Sequence, residues 1–158
     1  MKTSFLTALV YLLIVTSTSF KAVAQVSLQS LTSSDNLNPW KESQMIEPVQ
    51  LVAILKDGST VKPVIFNIGA VEDIMGAKHI GPVKEVKNLE KLTGALSAIP
   101  KNTLIIIYCG CCPFVKCPNV RPVFSELNKL GFNNIRILDL PVNLKTNWIN
   151  KGYPLAVN

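Results

Sequence analysis

The sequence predicts an α/β fold with a mostly parallel central sheet flanked by helices, and three observations predict it. Short apolar, β-branched runs at Pro63–Ile68, Leu104–Tyr108 and Asn134–Leu140 read as strands buried on both faces. Stretches with apolar residues at helical spacing separate them, so strands and helices alternate along the chain. The central run, Leu104–Tyr108, leads through a short loop into a helical pattern, and such loops are where α/β folds place chemistry.

In chain order, residues 25–44 are polar and interrupted by Asn38-Pro39, which reads as an exposed leader with Trp40 able to pack onto the domain that follows. Glu47–Leu55 starts with Pro48 near the first helical position and is closed by Asp57-Gly58. After the Pro63–Ile68 strand, Val71–Met75 is long enough for one helical turn, and Ala77–Ile80 reads as a short extended piece. Leu89–Ile99 is amphipathic and stopped by Pro100. The helix after the central strand has Asn119 as N-cap, Pro122 tolerated in its first turn, Val120, Phe124, Leu127 and Leu130 on one face, and Gly131 at its end. Leu144–Lys151 is a short final helix before Gly152-Tyr153-Pro154. The domain is expected to span residues 45–158.

The N-terminus reads as a secretory signal. Lys2 precedes an apolar stretch, Phe5–Val15, and the small-residue box Ala22-Val23-Ala24 places cleavage after residue 24. The apolar stretch is about half the roughly 20 residues a membrane helix needs, so no stable span is expected after cleavage. No cysteine lies near the cleavage site, which excludes a lipidated N-terminus. A periplasmic or secreted protein follows. Of 16 basic residues Lys2 and Lys21 leave with the signal, so 14 face 10 acidic residues, a net charge of +4. The basic residues form no Arg-rich run and are not interleaved with aromatics, which argues against nucleic-acid binding. A mild positive field suits a small anionic substrate.

All four cysteines, Cys109, Cys111, Cys112 and Cys117, fall within nine residues between the central strand and its helix. An even count in an exported chain ordinarily suggests disulfides. Cysteines this crowded would close only tiny loops and constrain the unfolded chain little, so a functional cluster is the better reading.

Four segments together resemble the single-domain rhodanese family of sulfurtransferases. Pro63–Gly69 is similar to the family's first core strand, and Ala77-Lys78-His79-Ile80-Gly81 to its histidine-isoleucine segment. Ile105-Ile106-Ile107-Tyr108-Cys109 places a cysteine immediately after the central strand, as the family's nucleophile is placed. Trp148–Pro154 is similar to the C-terminal tryptophan and Gly-Tyr-Pro signature. Asn67-Ile68-Gly69 stands where family members carry Asp-x-Arg, and the loop after Cys109 is longer, with Pro113, Pro118 and three additional cysteines.

The resemblance implies that Cys109 attacks the outer sulfur of a small anionic donor such as thiosulfate, holds it as a persulfide and passes it to a thiol or protein acceptor. That chemistry requires a favoured thiolate, nearby N–H groups or a helix N-terminus, and a cation for the donor; it asks for no cofactor. Arg121 and Lys116 are the candidate cations. Cys111, Cys112 and Cys117 have three possible uses: resolving Cys109 in a thiol–disulfide relay, fixing the loop through a disulfide, or joining Cys109 around a thiophilic metal. The Cys-x-Cys-Cys-x4-Cys spacing does not match structural zinc sites, so no metal is the first expectation. An exported redox or sulfur-carrier partner is the alternative to the sulfurtransferase, and a metal-binding protein a more distant one. The resemblance places His79 in a structural turn, while Asp139, Trp148 and Tyr153 read as turn or packing residues.

Overall fold

The computed structural model describes residues 38–58 and 61–157. The signal expected at residues 1–24, and the leader up to residue 37, lie outside the described residues. Five strands form one sheet: β1 (Met45–Ile46), β2 (Val64–Asn67), β3 (Ala77–His79), β4 (Ile105–Tyr108) and β5 (Ile135–Leu138). Their order is β1-β5-β4-β2-β3, and every pairing is parallel. The helices are α1 (Pro48–Lys56), α2 (Val86–Leu96), α3 (Val120–Lys129) and α4 (Leu144–Asn147).

Strand pleating sorts the core. Ile105, Ile107 and Cys109 point to one face with Leu92 and Leu96 of α2 and Val120, Val123, Phe124 and Leu127 of α3. Ile106 and Tyr108 point to the other, with Leu51, Val52 and Leu55 of α1 and Leu144 and Trp148 near the C-terminus. Both faces of β4 are covered, which is why its sequence is apolar without alternation.

Chain direction diverges beside β4. From β2 the chain moves to β3 on one side; from β4 it moves to β5 on the other. The carboxyl ends of β2 and β4 therefore border the crevice in which open α/β sheets bind ligands.

Several local expectations are corrected. Val71–Met75 is not a helical turn: Asn67 Nδ2 donates to the Val71 carbonyl at 2.8 Å, Tyr108 Oη accepts from the Ile74 amide at 3.0 Å, and Ile74 bridges to Leu155. The Met75 amide, which would close the turn onto Val71, donates instead to the Pro154 carbonyl at 3.1 Å. Helix α2 begins at Val86, ahead of the expected Leu89, and ends at Leu96. The final helix splits into α4 and a 3-10 turn, Ile149–Lys151, because Trp148 leaves helical geometry (φ −127°) to insert its ring into the core. Its Nε1 donates to the Pro154 carbonyl at 3.1 Å and its ring meets Tyr153 edge-on at 5.3 Å. The two-residue β1 was not anticipated, since its pairing with Ile137 and Leu138 carries no local pattern. Trp40 is buried and packs on Phe114 and Phe124.

Candidate functional site

Cys109 follows the last residue of β4, at the crevice between β2 and β4. Its parity with Ile105 and Ile107 aims the sulfur at the N-terminus of α3, and it is only 2% exposed. The neighbouring strand makes room for it: a Cβ at Gly69 would overlap the Cys109 carbonyl oxygen and lie 3.0 Å from Sγ. Asn67, fully buried at the end of β2, fixes that glycine by accepting from its amide at 3.0 Å.

The loop folds its other cysteines back onto this sulfur. Gly110 has φ +72°, a left-handed turn that reverses the chain, and its carbonyl accepts from the Leu144 amide at 2.8 Å. That turn brings Cys111 Sγ to 3.2 Å from Cys109 Sγ. Phe114–Lys116 forms a 3-10 turn that ends with Cys117 fully buried. The sulfurs of Cys109, Cys111 and Cys117 lie within 4.8 Å of one another. Cys112 Sγ lies 3.6 Å from Cys111 Sγ and is outside the trio. Among the described residues these three form the one cysteine, histidine and carboxylate group spaced to hold a single ion, and three sulfurs would suit a thiophilic one such as Cu(I).

Asn119 is the residue whose role the sequence misassigned. It occupies the N-cap position of α3, yet its side chain makes no capping bond. An N-cap side chain accepts from the second or third helical amide, and the third position here is Pro122, which has none. Asn119 instead donates through Nδ2 to Cys109 Sγ at 3.4 Å, with Cys117 Sγ at 4.0 Å. The amide is buried, and its Oδ1 has no partner.

These donors set the protonation pattern. Hydrogen bonding from the Cys117 thiol, then from Asn119 and Cys111, outweighs burial and brings the Cys109 thiol down to about 5. Burial and the Cys109 sulfur push Cys111 up to about 12, and the same two influences, with the hydrogen bond to Cys109 foremost, raise Cys117 as well. Cys109 is thus favoured as the thiolate, while Cys111 and Cys117 are favoured as thiols. A reaction that uses the Cys109 thiolate should therefore be flat above about pH 6 and fall roughly tenfold per unit below the thiol value. The linkage has the same sign: between about pH 5 and the ordinary thiol value of about 8.5 the native chain binds fewer protons than the unfolded one, so stability rises with pH. Above that value Cys117 reverses the trend, since it keeps a proton that the unfolded chain loses.

Comparison of the chain with family models, curated proteins and solved structures returns no match. The site therefore rests on its own geometry.

The two expected cations are placed differently. Arg121 donates to the Val115 carbonyl at 3.0 Å and to Asn38 Oδ1 at 2.7 Å, and lies over the Trp40 ring at 5.6 Å. It braces the cysteine loop against residues 38–40. Lys116 is exposed on the loop itself. His79 Nδ1 lies 3.0 Å from Asp73 Oδ1 and 3.2 Å from Asn67 Nδ2, at the β3 edge of the sheet. Asp139 lines a cleft with Glu42, Met45, Glu47 and Gln50 at the opposite, β1–β5 edge. Among the described residues no helix is long and apolar enough to cross a membrane.

Proposed function

We propose that the protein is an exported, rhodanese-like sulfurtransferase that carries sulfane sulfur as a persulfide on Cys109. The observation that carries this reading is the buried Cys109 sulfur at the strand tip, with Cys111 Sγ at 3.2 Å and Asn119 Nδ2 donating to it at 3.4 Å, surroundings that lower its thiol pKa. A persulfide needs a thiolate to form it, and the same donors stabilise the anionic outer sulfur once it is formed. The thiolate attacks the outer sulfur of thiosulfate, the donor's S–S bond breaks, and sulfite leaves with the electron pair. Lys116, exposed at the loop, is the cation that meets the incoming anion, while Arg121 holds the loop in place. Export follows from the signal expected at residues 1–24, with sulfur passing to a thiol or protein acceptor outside the cytoplasm.

The test is a sulfite burst. Reduced, desalted protein mixed with thiosulfate in thiol-free buffer should release one sulfite per chain. Cys109→Ser should release none, and Cys111→Ser should still give the burst at a lower rate. Equal bursts from the wild type and Cys109→Ser would remove Cys109 from the chemistry. A second reading is favoured by the spacing of the sulfurs of Cys109, Cys111 and Cys117, within 4.8 Å of one another. As a thiophilic metal site they would hold stoichiometric metal after purification under reducing conditions, and a metal-free chain with a full burst decides against it.

A further inference from the structure

We propose that Cys111 is the built-in resolving thiol for the persulfide on Cys109, so that the chain releases the carried sulfur as sulfide and closes a Cys109–Cys111 disulfide, and the external thiol of the proposed cycle reduces that disulfide rather than taking up the sulfur directly. This rests on the sulfur-carrier reading and states where the sulfur goes next. Burial is the first argument. Cys109 is 2% exposed, so a bulky external acceptor has no direct path to its sulfur, whereas Cys111 is exposed and already 3.2 Å from it. Position is the second. Cys112 makes its sulfur contact with Cys111, at 3.6 Å, and Cys117 is fully buried, with its backbone N–H donating to the Phe114 carbonyl at 3.1 Å. Of the three extra cysteines, Cys111 is the exposed one and the one in sulfur contact with Cys109.

The step balances without an outside oxidant. Cys111 sulfur attacks the inner sulfur of the Cys109 persulfide, the bond between inner and outer sulfur breaks, and the outer sulfur leaves with the electron pair. The Cys111 proton goes with it, so the product is hydrosulfide. Two thiols are oxidised to one disulfide, and the sulfane sulfur from thiosulfate is reduced to sulfide. Closing the bond asks for a movement of about 1 Å, from the observed separation to the usual length of about 2.0 Å. A disulfide spanning one intervening residue is strained and therefore readily reduced, and exposed Cys111 offers it to an external thiol that resets the cycle. The loop then couples two exchanges, sulfur in from an anionic donor and electrons in from a thiol partner.

The experiment follows the sulfur. The reduced, desalted full chain is mixed with one equivalent of thiosulfate, and sulfite, sulfide and intact mass are read together. Wild type should give one sulfide for each sulfite and lose two hydrogens. Cleavage after lysine should place the new link inside the peptide Asn102–Lys116, which carries Cys109, Cys111 and Cys112 but not Cys117. In Cys111→Ser the sulfite should persist, the chain should retain one extra sulfur, and sulfide should drop at least tenfold. Cys112→Ser should behave as wild type. Extra sulfur retained on the wild type, a link to the peptide carrying Cys117, or sulfide lost equally in Cys112→Ser would overturn the role of Cys111 while leaving Cys109 as carrier. Absence of sulfite from the wild type would overturn the carrier reading itself.

Discussion

Gly69→Ala should cost about 3 kcal/mol of folding stability and lower sulfite release by more than the lost folded fraction explains. The residue's backbone conformation is ordinary, so the effect is purely one of space. A Cβ there would overlap the Cys109 carbonyl oxygen and stand 2.8 Å from its carbonyl carbon, and both are main-chain atoms that no side-chain rotation can clear. The strands must separate, which strains the bond from the Ile68 amide to the Tyr108 carbonyl at 2.9 Å just before the overlap. The same movement carries Cys109 away from Asn119 and the other sulfurs. Urea unfolding gives the stability and the burst gives the function. A variant as stable as wild type would mean that the ends of β2 and β4 are not as closely packed as described.

Asn119→Asp should move the acid limb of the sulfur-uptake profile up by about two pH units or more and reduce the rate at pH 6 at least tenfold. The substitution preserves shape and replaces a donor to the Cys109 sulfur, at 3.4 Å, by an acceptor with a charge of its own. Two anions cannot share that buried pocket, so either the carboxyl or the thiol must keep a proton. The rate at pH 9 should recover much of its wild-type value, because enough alkali restores the thiolate. A profile that keeps its midpoint would show that Asn119 does not hold the charge on Cys109.

Much of the scaffold was legible because the signals are local. The runs at Val64–Asn67, Ile105–Tyr108 and Ile135–Leu138 are strands, and the pattern Val120, Phe124, Leu127 is a helix face buried on the sheet. Most of the parallel pairing follows from strands that alternate with helices, while β3 pairs parallel to β2 with no helix between them. Misreadings came where a distant partner outcompeted a local one. Val71–Met75 lost its helical turn to Asn67 and Tyr108, and Asn119 lost its capping role to a sulfur ten positions earlier. The second was partly visible in the sequence, since Pro122 removes the third helical amide that an Asn119 cap would have used. Arg121 has the charge expected of an anion site, but its partners, Asn38 and the Val115 carbonyl, are set by how the cysteine loop packs beside residues 38–40.

By itself the sequence determined the layered α/β order, the burial of the central strand and the crowding of four cysteines between that strand and a helix start. Periodicity and turn chemistry act over a few residues, and these features need nothing more. Only the tertiary structure decided which sulfurs meet, that Asn119 faces them, and that Gly69 gives Cys109 its room. Those outcomes depend on two strands brought side by side from 40 positions apart and on a loop that doubles back on itself, and contact at that separation is fixed by packing of the whole sheet.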